Sequence, residues 1–272
     1  MLKFSVLLSI YYKENPSFLH SCLESLFLNK KFIPDEILII KDGPLNSALE
    51  STLDLWLNKY PNVIKTLSLE INQGLGFALN YGISFCRNNW VFRMDTDDLC
   101  SPDRFEKQIQ YIEDNPTVSL FGSNIAEFDI TMKYPQGIRT VPTTYNQITQ
   151  QVKKRNPFNH MTVAFRKDII ESVGGYQHHL YMEDYNLWIR VIAAGHQVGN
   201  IDEVLVNVRG GDSMIKRRKG LIYIKSELQL AKLKIEKKID SPFNAYINFI
   251  IRSIPRLLPT YMLSKVYKKL RK

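Results

Sequence analysis

The sequence predicts an α/β protein: a doubly wound, mainly parallel sheet with a basic helical extension at its C-terminal end. Three observations carry that prediction. Four short apolar runs of strand length punctuate the first hundred residues. Segments with helical spacing of apolar residues lie between them, the alternation that sets parallel strands side by side through helical crossovers. Charge is divided along the chain. Residues 216–272 hold 16 Lys and Arg against 3 Asp and Glu, a balance of +13, whereas residues 1–215 hold 20 against 24, a balance of −4.

The first strand is FSVLLSI (4–10), followed by a helix at 17–28 with Leu19, Cys22, Leu23, Leu26 and Phe27 on one face. EILIIK (36–41), VIKTLSL (63–69) and WVFRM (90–94) supply three more strands, with helices at 47–60 and 76–86 between them. A helix is expected at 103–114 and a strand at 117–129, and the stretch 130–160 reads as irregular. A short helix at 168–176 is closed by Gly174 and Gly175. A stronger one at 184–195 has Asp184 as its N-cap and Gly195 as its stop. Residues 1–215 are thus expected to form one domain with halves meeting near residue 100 (about 1–100 and 101–215), and 216–272 a basic amphipathic tail.

Composition narrows the class. The chain has 272 residues, 44% hydrophobic and 23% charged, which is ordinary for a globular protein. Cys22, Cys86 and Cys100 are widely spaced, which favours a reducing compartment over a disulfide framework or a zinc site. The N-terminus lacks a small-residue cleavage site and reads as a strand rather than a signal peptide. No apolar run reaches the ~18 residues of a membrane span. The tail places Phe243, Tyr246, Ile247, Ile250, Ile254, Leu257, Leu258 and Tyr261 at helix-like spacing, broken by Pro255 and Pro259, with basic residues at its end. That combination suits an interfacial membrane segment. The alternatives are a helix packed on the domain with a solvated basic face, or a nucleic-acid contact.

Open α/β sheets bind ligands beyond the carboxyl ends of their strands, so YYKENP, KDGPLN, NQGLG and MDTDDLCSPD are the loops that matter. Asp95 and Asp97 flank one residue, so in extended backbone both carboxylates face one side, and Asp98 follows. Hard divalent cations favour such oxygen ligands together with substrate phosphates, although a turn that caps the next helix would also use these residues. Asp42 closes the second strand, where it could accept a ring N–H or a ribose hydroxyl, or simply begin a turn. Gly74 and Gly76 precede a helix, but Leu79 stands where a dinucleotide fingerprint needs glycine, and no GxxxxGK[ST] loop occurs. Glu183 and Asp184 sit among aromatic residues, where a carboxylate can become a general base or merely cap a helix.

Taken in order, SVLLSIYYKE, ILIIKDGP, NQGLGFALNYGI, VFRMDTDDLCSPDRFEKQI, NPFNHMTVAFRK and YMEDYNLWIR resemble family-2 inverting glycosyltransferases of the GT-A fold, over about residues 3–210. The subgroup most similar comprises bacterial O-antigen and exopolysaccharide enzymes that extend a sugar–diphospho-undecaprenol acceptor. The resemblance implies a nucleotide-sugar half in 1–100 and an acceptor half in 101–215. It implies that Ser9, Tyr11 and Asp42 hold the uridine, with Glu14, Gly74, Asn80 and Asp95 also on the nucleotide side. It further implies that Asp95 and Asp97, with Asp98 next to them, hold a Mn²⁺ or Mg²⁺ ion, and that Asp184 is the base with Glu183 beside it. Two residues depart from the family pattern: Lys41 replaces the first acid of the commoner DDG loop, and Leu79 an Arg. The expected partners are a UDP-sugar, a lipid-linked sugar diphosphate and the inner face of a bacterial cytoplasmic membrane, reached through the tail, and not nucleic acid. Competing readings are a sugar-1-phosphate nucleotidyltransferase, for which SIYYKENP is a poor phosphate loop, and a non-catalytic nucleotide-sugar or polyanion binder.

Overall fold

The structure, a computed structural model, describes residues 2–29, 31–210 and 220–257. Its first half follows the predicted alternation: β1 (Phe4–Ile10), α1 (Pro16–Ser25), β2 (Glu36–Lys41), α2 (Ser47–Lys59), β3 (Ile64–Ser68), α3 (Leu75–Phe85) and β4 (Trp90–Arg93). There follow β5 (Leu99–Cys100), α4 (Arg104–Asp114), β6 (Val118–Phe128), β7 (Pro135–Arg139), α5 (Tyr145–Lys154), β8 (Ala164–Arg166), α6 (Lys167–Ser172), α7 (Glu183–Ala193) and β9 (Gln197–Arg209). Two further helices, α8 (Leu221–Glu236) and α9 (Pro242–Ser253), complete the described chain, with a short 3-10 turn at Ile254–Leu257.

Among the described residues the strands form one mixed sheet in the order β3-β2-β1-β4-β8-β6-β9-β5, with β7 hydrogen-bonded to β6. β3, β2, β1 and β4 are parallel neighbours, and β6 pairs parallel with β9. The antiparallel members are β8, which joins the two parallel sets, and the short β5 and β7. Side chains alternate across β1. Phe4, Val6, Leu8 and Ile10 enter a core shared with Leu19, Leu23, Leu53, Trp56 and Phe105 on one face of the sheet. Leu7 enters the opposite core with Leu79, Ile83, Val152, Leu187 and Trp188. Helices thus cover both faces, as a doubly wound sheet requires.

The differences from the sequence reading have local causes. The stretch read as irregular contains β7 and α5, and α5 opens on a capping box in which the Thr144 hydroxyl accepts the Gln147 N–H and the Gln147 side chain accepts the Thr144 N–H. β8 has only three residues, too few for a periodic signal, and the Asp202–Glu203 pair interrupts the apolar pattern of β9. Asp184 is not the N-cap of α7. The helix begins at Glu183 with Met182 at the cap, so both acids lie in its first turn.

The described part of the C-terminal extension packs on the domain. Tyr223 and Leu230 of α8 join the core that holds Trp188. Arg252 of α9 makes two hydrogen bonds to the buried Glu227 of α8, at 2.7 and 2.8 Å. Lys234 donates to the Lys153 carbonyl at the end of α5 (2.8 Å). Leu258 and Tyr261, expected on the apolar stripe, and the basic runs 216–219 and 265–272 lie outside the described residues.

Candidate active site

The four loops singled out by the sequence meet at one end of the parallel strands. Ser9 lies half-buried near the end of β1, in register with Ile40 of β2. The turn that follows is closed by the Glu14 N–H on the Tyr11 carbonyl (3.1 Å), and the Tyr11 ring meets Tyr12 edge-on at 5.8 Å. Asp42, at the end of β2, is buried and already bonded. Its two oxygens accept the backbone N–H groups of Gln73 (2.7 Å) and Gly74 (2.9 Å), fastening the NQG loop to the strand end. Gly43 makes this approach possible: a Cβ there would stand 2.7 Å from the Asn72 nitrogen, at a φ of 83° that L side chains rarely adopt.

Asn80 lies exposed in α3. Its Oδ1 accepts the Tyr176 N–H at 2.8 Å, bracing α3 against the Gly174–Gly175 turn that precedes α7. The two departures from the family pattern have partners within the fold: Lys41 pairs with Glu50 of α2 at 3.1 Å, and Leu79 is buried in the core beneath α3.

The three aspartates after β4 have three different environments. Asp95 is partly exposed and ion-paired with Arg93, whose side chain is buried in β4. Burial and the nearby charge of Asp95 push the Asp97 carboxyl up to about 6. Asp98 is 2% exposed, and its Oδ1 accepts the backbone N–H of Arg209 at 2.9 Å, tying the acidic loop to the end of β9. Arg209 also donates through Nε to the Asp97 carbonyl (3.0 Å) and lies 3.7 Å from the centre of the Phe18 ring. Beneath the loop, buried Arg104 donates to the Arg93 carbonyl (2.7 Å) and to Gln108 (2.9 Å).

The second acidic pair starts α7. Asp184 accepts the Asn156 amide at 2.6 Å, which ties it to the end of α5. Burial first, and the Asp184 charge second, push the Glu183 carboxyl up to about 7. Arg93 lowers it and Asp95 raises it, so Glu183 lies within electrostatic reach of the acidic loop. Its stem rests on Gly76, where an added Cβ would meet Glu183 Cβ at 3.1 Å. Behind these groups the half-buried His160 ring bonds the Tyr176 hydroxyl (2.7 Å), and its removal from water holds it well below its usual pKa.

The donor set fits a hard divalent cation bound jointly with a ligand. Among the described residues no three His, Cys, Asp or Glu side chains form a closed cage. Asp95 and Asp97 nonetheless offer two carboxylates on one loop, enough for a cation that takes its other oxygens from phosphates and water. Asp98 is the most enclosed of the three, and its Oδ1 already serves the Arg209 N–H.

Four residues at the site went unremarked in the sequence: Arg93, Arg104, Arg209 and Asn156. Arg93 had a signal, since a cation inside an apolar strand needs a partner. The other three are positioned by tertiary contacts that local pattern does not encode.

The model of the family described as "Glycosyl transferase family 2" matches residues 5–174. The chain is 47% identical to the amylovoran biosynthesis glycosyltransferase AmsE of Erwinia amylovora, over 99% of both chains. It is 40% identical to the UDP-Gal:alpha-D-GlcNAc-diphosphoundecaprenol beta-1,3-galactosyltransferase of Escherichia coli, covering 98% of this chain and 96% of that protein. The fold is that of GT-A glycosyltransferases. It matches the mannosyltransferase PcManGT of Pyrobaculum calidifontis, solved in complex with GDP-Man and Mn²⁺, with a TM-score of 0.63 at 14% identity, covering 98% of this chain and 80% of that one.

Proposed function

Because the chain belongs to glycosyl transferase family 2, we propose that it moves a hexose from a UDP-sugar to a sugar–diphospho-undecaprenol acceptor in O-antigen or exopolysaccharide synthesis. The transfer inverts the donor linkage and gives a β-glycoside. The donor is UDP-galactose, UDP-glucose or an N-acetylated form. The similarity to the galactosyltransferase over nearly the whole of both chains carries this reading.

Asp95 and Asp97 would hold a Mn²⁺ or Mg²⁺ ion, which when bound offsets the negative charge that develops on the departing diphosphate. Arg93 and Arg104 hold the loop from below. Asp42 shapes the nucleotide crevice by fixing the NQG loop, and Ser9, Tyr11 and Glu14 would contact the nucleotide. Across the crevice Asp184, oriented by the Asn156 amide, takes the proton of the acceptor hydroxyl as its oxygen attacks the sugar from the face opposite the diphosphate. The bond from sugar to diphosphate oxygen breaks as the new glycosidic bond forms. One observation favours Glu183 as the base instead: its carboxyl is pushed up to about 7, a value suited to proton transfer near neutral pH. Asp184→Asn and Glu183→Gln separate the two, since the variant lacking the base loses transfer while UDP binding persists.

The acceptor's lipid implies work at the inner face of the cytoplasmic membrane. Among the described residues no helix is long and apolar enough to cross one, so attachment would be peripheral. The reading is tested by incubating purified protein with each UDP-hexose, Mn²⁺ and a GlcNAc–diphospho-lipid, with the product linkage read by NMR. A β-linked disaccharide lipid from one donor is expected. Nucleotide exchange onto a sugar 1-phosphate would support the nucleotidyltransferase, and binding without turnover the non-catalytic binder.

A further inference from the structure

The outer side of α9 has no partner among the described residues. Phe243 is 74% exposed, Ile250 53%, Ile251 60% and Ile254 58%, with Tyr246 and Ile247 beside them. These positions follow the i, i+3, i+4, i+7 spacing of one helix face. The opposite face is committed to the protein: Ala245 and Ser253 are buried, and Arg252 holds Glu227. The apolar face is therefore the side of a firmly seated helix, not of a loose one.

The seat of α9 adds charge beside it. Arg252 donates to the Lys154 carbonyl at 3.1 Å and Asn248 to the Lys153 carbonyl at 3.5 Å, so the helix crosses the end of α5. There the sequence reads Lys153-Lys154-Arg155-Asn156, with Lys154 and Arg155 exposed. Asn156 is the residue that bonds Asp184. These contacts thus join α9, the cationic turn and the acceptor-side carboxylate in one connected series. The sequence after residue 257 holds five Lys and Arg and no acid.

We propose that the α9 face together with Lys154 and Arg155 docks this protein on the surface of an anionic lipid bilayer. α9 would lie along the interface with its six apolar side chains among the acyl ends of the headgroup region, and the α5 cations would face lipid phosphates. Charge complementarity selects lipid over a second copy of the chain, because pairing two such faces would bring two cationic turns together. The proposal rests on the lipid-linked acceptor for its purpose: it sets the Asp184 side of the crevice at the height where a lipid diphosphate emerges.

The test is co-sedimentation of the full chain with phosphatidylglycerol and phosphatidylcholine vesicles over a salt series. Wild type should bind the anionic vesicles, more weakly as salt rises. Ile247→Asp/Ile250→Asp should reduce binding to background, and Lys154→Glu/Arg155→Glu should weaken it by at least about tenfold. All four side chains are at the surface, and a thermal melt verifies folding. Phe243→Ser provides a milder variant should the double aspartate fail to fold. Transfer to a short soluble acceptor should be unchanged in each. Asp97→Asn should bind vesicles as wild type does, which separates docking from catalysis. Wild type that binds neither vesicle, or face variants that bind as well as wild type, would overturn the proposal. A wild-type dimer that the face variants split, with no vesicle binding, would assign the face to a second copy instead.

Discussion

The Asp98 carboxylate accepts the backbone N–H of Arg209, 111 residues away, at 2.9 Å. One of the three clustered acids is thereby an anchor for the loop that carries the other two. Asp98→Asn keeps an oxygen for that N–H and removes a buried charge, so it should fold at least as stably as wild type and retain most activity. Asp98→Ala leaves the N–H unmatched and should lose about 1–3 kcal/mol in a denaturant titration. If Asp98→Asn is as inactive as Asp97→Asn, Asp98 acts in the chemistry rather than as an anchor.

That division of labour was only partly legible in the sequence. The spacing of Asp95 and Asp97 at a strand end marked them as a pair, and the apolar runs placed β1 to β4 because each strand signals locally. Asp98 differs from its neighbours through a contact with β9, a strand whose own pattern is broken by Asp202 and Glu203. Asn80 and Asp42 show the same limit. Asp42 stands in a loop the sequence flagged and Asn80 in the helix that follows another, yet their oxygens serve backbone N–H groups of Gln73, Gly74 and Tyr176. Packing of the tail on the domain was one of the alternatives the sequence left open, but the residues that seat it were hidden, because the buried Arg252–Glu227 pair reads as two ordinary charges in a basic tail.

Gly76 sits in the first turn of α3 with Glu183 against it. Alanine there should gain up to ~1 kcal/mol of helix propensity. Its Cβ would also press on the Glu183 stem at 3.1 Å, close to the α7 backbone, which has little room to yield. Gly76→Ala should therefore melt within a few degrees of wild type while kcat falls about tenfold or more. Unchanged kcat would show that the position of Glu183 is not critical.

Glu183 also makes stability depend on pH. Its folded-state pKa of about 7 lies above the ordinary 4.5. Between those values the folded protein holds a proton that the unfolded chain has released, so stability falls as pH rises through that window. Glu183→Gln should flatten this part of the curve and raise the Tm at pH 8, by about 2–4 °C for each kcal/mol relieved. An identical pH dependence of Tm in wild type and variant would contradict the assigned environment.

Arg252 is the counter-charge of Glu227, which is 2% exposed. Arg252→Ala strands that carboxylate and should destabilise the protein by about 3–5 kcal/mol. Limited proteolysis should then cut α8 and α9 earlier than in wild type. Replacing both residues, Arg252→Met with Glu227→Leu, should recover most of the loss. No recovery would mean that the pair matters for more than mutual neutralisation.

The central claim is metal-assisted transfer at the Asp95–Asp97 loop, and release of UDP from the UDP-hexose that the donor screen identifies tests it most directly. With the GlcNAc–diphospho-lipid present, wild type should turn over, stop in excess EDTA, and recover when Mn²⁺ or Mg²⁺ is restored. Asp97→Asn should turn over at least about a hundredfold more slowly under every metal condition while its melting curve stays cooperative. Full turnover of wild type in EDTA, or wild-type rates from Asp97→Asn, would contradict it.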